Sequence, residues 1–97
     1  MATKKDALIY ACDPVCSVSV FKKKVKKNEI VYLLADGTDV TLTFDPSSPF
    51  QSGTNPLSIS ANTFSKQKGV SRKVTVSYSL NCSTCGTPST DPTIIVD

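Results

Sequence analysis

The sequence predicts an all-β sandwich of about seven antiparallel strands. Three observations carry that expectation. Apolar residues recur with a period of two, turn-forming pairs punctuate the chain at short intervals, and no stretch keeps a helical period. Strands with one apolar and one polar face bury half of themselves, which is the pattern of antiparallel sheets packed face to face.

The elements follow in chain order. Val18 and Val20 alternate with polar neighbours, and Phe21 and Val25 then change phase, which predicts a bulge inside the lysine-rich segment. Ile30 to Leu34 is apolar on both faces, as a central strand would be. Val40, Leu42 and Phe44 alternate with Thr41, Thr43 and Asp45, and Val74, Val76, Tyr78 and Leu80 alternate with Thr75, Ser77, Ser79 and Asn81. Thr93 to Val96 is a short β-branched run launched by Pro92. With Ile94 and Val96, the inward residues of these runs form the expected core.

Asp13-Pro14, Lys27-Asn28, Asp36-Gly37, Asp45-Pro46, Lys68-Gly69 and Asp91-Pro92 supply the turns, with Asp36-Gly37 read as a hairpin. The irregular segment 46–62 is expected to wrap one edge as loop, with Phe50 and Leu57 plugging the core beneath it.

At 97 residues the chain fits one domain spanning 1–97, with no internal repeat or linker. No apolar run approaches the ~18 residues of a membrane span. The N-terminal MATKKDALIYAC lacks the apolar core of a signal peptide, so a complete chain would be cytoplasmic. If a leader has been removed, the protein is secreted or periplasmic. Net charge is +3, concentrated in Lys22 to Lys27. Nucleic-acid surfaces interleave arginine and stacking aromatics, and Arg72 is the sole arginine, so no nucleic-acid partner is expected. The plainer reading is that these lysines keep an edge strand from pairing with other chains. The alternative is an anionic contact patch.

The chain contains no histidine, which removes the usual general base and both Ser-His-Asp and Cys-His arrangements, so no enzyme is expected. Asp13, Asp45 and Asp91 each precede proline, which is turn chemistry, and the four glycines are too scattered for a phosphate loop. Cys12 and Cys16 form CxxxC, and Cys82 and Cys85 form CxxC. The second pair follows a strand, with no helix N-terminus to depress a thiol pKa, so redox catalysis is not expected. Two close pairs leave three readings: a four-thiolate zinc site, placed first, disulfides formed locally or between the pairs, and free, partly buried thiols that only pack, which four cysteines in two close pairs disfavour.

Several stretches resemble cupredoxins, the blue-copper β-sandwiches. Tyr78-Ser79-Leu80-Asn81-Cys82-Ser83-Thr84-Cys85 is similar to their tyrosine-to-cysteine segment, in which the copper cysteine follows the tyrosine by four residues. Val25-Lys26-Lys27-Asn28-Glu29-Ile30-Val31-Tyr32 resembles their V-K-x-G-D-x-V-x-W hairpin, and Ala35 to Leu42 matches the segment carrying the first histidine ligand. Cys12-Asp13-Pro14 falls where such chains enter the second strand, and small bacterial proteins of uncharacterised role share the closing DP-x-IIV strand.

The resemblance covers residues 8–97 and implies a Greek-key sandwich. It also implies that Cys12, Cys16, Cys82 and Cys85 share the pole that holds copper in the relatives. Asp39 stands at the first histidine position and Cys85 near the second, and Met1 is the sole methionine. Without imidazoles no blue-copper centre is expected. The reading is therefore a non-enzymatic cupredoxin-like domain, structural or interacting with another protein. The alternative is a zinc protein using the four cysteines as ligands, unless they are disulfide-bonded. Tyr10, Tyr32 and Phe21 are candidates for a contact surface, although each is expected in the core.

Overall fold

The computed structural model describes residues 7–88 and 90–97. The strands are β1 (Leu8–Cys12), β2 (Cys16–Val18), β3 (Lys22–Val25), β4 (Ile30–Ala35), β5 (Val40–Asp45), β6 (Leu57–Ile59), β7 (Phe64–Lys68), β8 (Val74–Cys82) and β9 (Thr93–Val96). They form one sheet ordered β2-β1-β4-β7 and another ordered β3-β9-β8-β5-β6. No helix occurs among the described residues, and so none that is long and apolar enough to cross a membrane.

The period-two runs behave as their patterns demand. Val40, Leu42 and Phe44 of β5 and Val76, Tyr78 and Leu80 of β8 all point into one core, joined by Ile94 and Val96. Val74, also expected inside, is half-buried because β8 begins at the rim of the sheet. β4 alternates between buried Val31, Leu33 and Ala35 and half-buried Ile30, Tyr32 and Leu34. It is central as expected, lying between β1 and β7, but its second face is only partly covered. Phe50 and Leu57 are buried, as the loop-plug reading requires.

Four expectations need correction. The described residues make nine strands, and the sheets are mixed: β1 runs parallel to β4 and β3 parallel to β9. The phase change at Val20-Phe21 is a change of sheet, not a bulge, since β2 and β3 belong to different sheets. Asp36-Gly37 likewise carries the chain from β4 in one sheet to β5 in the other, so it is an arch rather than a hairpin. Gly37 sits there at φ +76°, a conformation that favours glycine. Finally, the segment 46–62 contains β6, which pairs with β5 over Leu57 to Leu42.

β1 and β7 had no alternation to announce them. Leu8 to Cys12 is nearly all apolar, and Phe64 to Lys68 is mostly polar.

Candidate functional site

The four cysteines meet at one end of the sandwich, and the chain's local preferences bring them there. β1 and β2 form a tight hairpin closed by an Asp13 N–H to Val15 carbonyl bond of 2.9 Å, which sets Cys12 opposite Cys16 in the ladder. On the other sheet β8 ends with Cys82 opposite Val40 of β5, and the chain turns through Ser83 and Thr84 to Cys85. The sulfurs then join across the sheets. Cys12 bonds Cys85 with Cα atoms 6.0 Å apart, and Cys16 bonds Cys82 at 5.4 Å, both within the usual span. No cysteine is free.

The disulfides differ in setting. Cys16 and Cys82 are buried in the core, whereas Cys12 lies at the surface and Cys85 packs against the core edge. Backbone bonds hold the loop to both sheets: Cys16 N–H donates to the Gly86 carbonyl at 2.8 Å, and Ser83 N–H to the Asp39 carbonyl at 2.9 Å. Thr84 Oγ1 bonds buried Thr38 Oγ1 at 2.9 Å and lies 3.4 Å from Cys12 Sγ, so a hydroxyl pair packs beside the outer bridge.

Asp39 and Cys85, which stand at the two histidine positions of the resemblance, both have structural tasks. Asp39 Oδ1 accepts the Ala61 N–H at 2.7 Å, tying the arch after β4 to the turn after β6, and Cys85 is in a disulfide.

Inward from this pole, Tyr10 of β1 and Tyr78 of β8 place their hydroxyls 3.1 Å apart with their rings edge to face. Both hydroxyls come from the centres of facing sheets, where each would be orphaned without the other. Burial, chiefly, with the neighbouring Tyr78 hydroxyl, raises the Tyr10 pKa well above its ordinary value. Burial pushes Tyr78 up to about 12, opposed by its bond to Tyr10. The pair is therefore neutral at physiological pH and acts as a polar rivet between the sheets.

Of the three aromatic contact candidates, Tyr10 is in the core and Tyr32 is half-buried, crossing Phe64 edge to face at 6.4 Å. Phe21, expected inside, is 53% exposed because the change of sheet at Val20-Phe21 swings it outward. Ile9 and Phe64 are also exposed and lie in one row with Leu34 on the outside of the first sheet. Polar neighbours on β7 gave the sequence no signal of that row. Lys22 and Lys24 are exposed on β3, an edge strand, and Lys23 is half-buried.

Among the described residues, the Sγ atoms of Cys12, Cys82 and Cys85 lie within 4.8 Å of one another, and no carboxylate joins such a cluster. No family model, curated protein or solved structure matches the chain.

Proposed function

We propose that this chain is a non-enzymatic cupredoxin-like domain that works as a structural or interaction module in an oxidising compartment. The observation that carries the reading is the pair of disulfides between the sheets, at the end where the resemblance would place copper. Disulfides persist where thiols are not kept reduced, which favours an extracytoplasmic setting. The ligand inventory supports the same reading, since the sequence has no histidine and its sole methionine is Met1. Tyr78 sits four residues before Cys82 at the end of the penultimate strand, which supports the cupredoxin-like assignment. In this reading covalent bonds replace the metal as the clamp on the pole.

A second reading rests on the proximity of the Cys12, Cys82 and Cys85 sulfurs. Were the protein to work reduced, these three with Cys16 would offer four thiolates to zinc, a closed structural site without an open position for chemistry.

Protein isolated without added reductant or chelator separates the two. The first reading expects no titratable thiol after denaturation, peptides linked Cys12 to Cys85 and Cys16 to Cys82, and no intense thiolate-to-copper absorption on adding Cu(II). Four free thiols with bound zinc would replace it with the second reading. A blue copper band would overturn the ligand argument itself.

A further inference from the structure

We infer that the free edge of β3 is a docking site for an acidic, extended segment of a protein partner, which would add to the sheet as a further strand. The inference rests on the interaction-module reading, and it names the surface that does the interacting. Among the described residues, β3 borders one strand, β9, and its other side is the edge of the sheet. The Phe21 carbonyl accepts the Thr93 N–H at 2.8 Å and the Val25 carbonyl accepts the Asp97 N–H at 2.9 Å. Backbone groups alternate sides along a strand, so those of Phe21, Lys23 and Val25 face β9 and those of Lys22 and Lys24 face outward. Among the described residues, these two thus present N–H and C=O groups that no strand pairs, at the spacing an incoming strand requires.

The charges around this edge select the partner. Lys22, Lys23, Lys24, Lys26 and Lys27 crowd the edge and the turn after it. The ion pair among the described residues, Lys73 to Asp97 at 3.4 Å, involves none of them. Lysines on an edge repel a second copy of the same edge, because like charges opposed across a ladder destabilise it. The same lysines attract a strand with carboxylates at alternate positions, so one feature excludes self-pairing and favours the acidic partner.

An apolar anchor lies at the start of the strand. Phe21 and Val20 are 53% and 40% exposed, and Phe21 forms one wall of a depression with Val18, Pro88 and Pro92. A partner segment alternating acidic and apolar residues would pair its carboxylates with Lys22 and Lys24 and seat an apolar side chain against Phe21.

The probe is a fluorescein-labelled synthetic peptide alternating glutamate and valine, followed by anisotropy at low and moderate salt. Saturable, salt-weakened binding is expected, with amide shifts in the NMR spectrum centred on Lys22 and Lys24. A peptide with lysine in place of glutamate is expected not to bind. Lys24→Pro removes an outward N–H that β9 does not use, so it should weaken binding about tenfold with little change in melting temperature. Joint Lys22→Glu and Lys24→Glu should transfer the preference to the lysine peptide. Equal binding of an acidic peptide broken by prolines would overturn strand addition in favour of diffuse attraction. Recruitment to phosphatidylserine vesicles without saturable peptide binding would overturn it in favour of a membrane surface. No peptide binding at millimolar concentration would also overturn it. The peptide assays use the folded protein as isolated, and the thiol measurement on the same preparation tests the underlying reading separately.

Discussion

Tyr10 and Tyr78 are the residues whose chemistry depends most on each other. Their hydroxyls are paired at 3.1 Å inside the core, so removing one leaves the other buried without a partner. Tyr78→Phe or Tyr10→Phe should each cost about 1–3 kcal/mol, whereas the double replacement should come close to the parent, because both desolvation penalties vanish together. Urea denaturation of the three variants checks this, and additive losses would mean that the hydroxyls are not coupled. The same pair sets an alkaline limit. The folded pKa of Tyr78 is raised from the ordinary 10.0 to about 12, so folding holds the phenolic proton more tightly than the unfolded chain does. That contribution is complete below pH 10 and is lost as pH rises from 10 towards 12. Melting temperatures over this range should fall more steeply for the parent than for the double phenylalanine variant.

At the scale of elements, the fold depends on arches that carry the chain from sheet to sheet with little room to spare. The turn after β3 and the turn after β7 meet at the end away from the cysteines, where Asn28 N–H donates to the Gly69 carbonyl at 3.2 Å and Gly69 N–H to the Glu29 carbonyl at 2.9 Å. A Cβ on Gly69 would stand 3.0 Å from the Lys26 carbonyl oxygen and 3.2 Å from Val25 Cγ1. The first contact is with backbone, which cannot swing aside as a side chain can. Gly69→Ala should therefore destabilise by about 1–3 kcal/mol, the usual range for overpacking. A chemical-denaturation midpoint unchanged from the parent would show that the two arches have slack. Gly37, with nothing within 4 Å of its Cβ position, is glycine for its backbone angle, so the two glycines answer to different constraints.

For the whole molecule the disulfides are coupled through chain topology. The bridges span 73 and 66 residues, one nested just inside the other. In the chain-entropy account, closing a loop of about 70 residues is worth about 4 kcal/mol, and a loop of about eight is worth 2–3 kcal/mol. Once either bridge is closed, the other confines only the short CxxxC and CxxC segments. Replacing either pair of cysteines by alanine should therefore cost about 2–3 kcal/mol and replacing both about 7 kcal/mol, more than twice the single loss. Equilibrium unfolding of the three variants measures this, and a double loss equal to the sum of the singles would contradict the nesting argument. A loss of that size is comparable with the whole stability of a small domain, so full reduction should leave the chain marginal or unfolded.

The alternation in Val40 to Asp45 and in Val74 to Asn81 determined by itself that the protein is built from sheets with one buried face. A side chain's facing follows from strand period alone, and period is written in the residues. The absence of histidine likewise settled which ligand chemistry the chain lacks, because an inventory needs no coordinates. Sheet membership was another matter. Asp36-Gly37 and Val20-Phe21 look locally like a hairpin turn and a bulge, but the chain changes sheet at both, since the direction of exit depends on which partner strand waits on either side. β7 was invisible because its packing comes from β4 rather than from an apolar period of its own. The cysteine spacings showed two close pairs and left their partners open. The tertiary structure joined Cys12 to Cys85 and Cys16 to Cys82, because sulfurs bond to what lies opposite them across the two sheets, and sequence distance does not measure that separation.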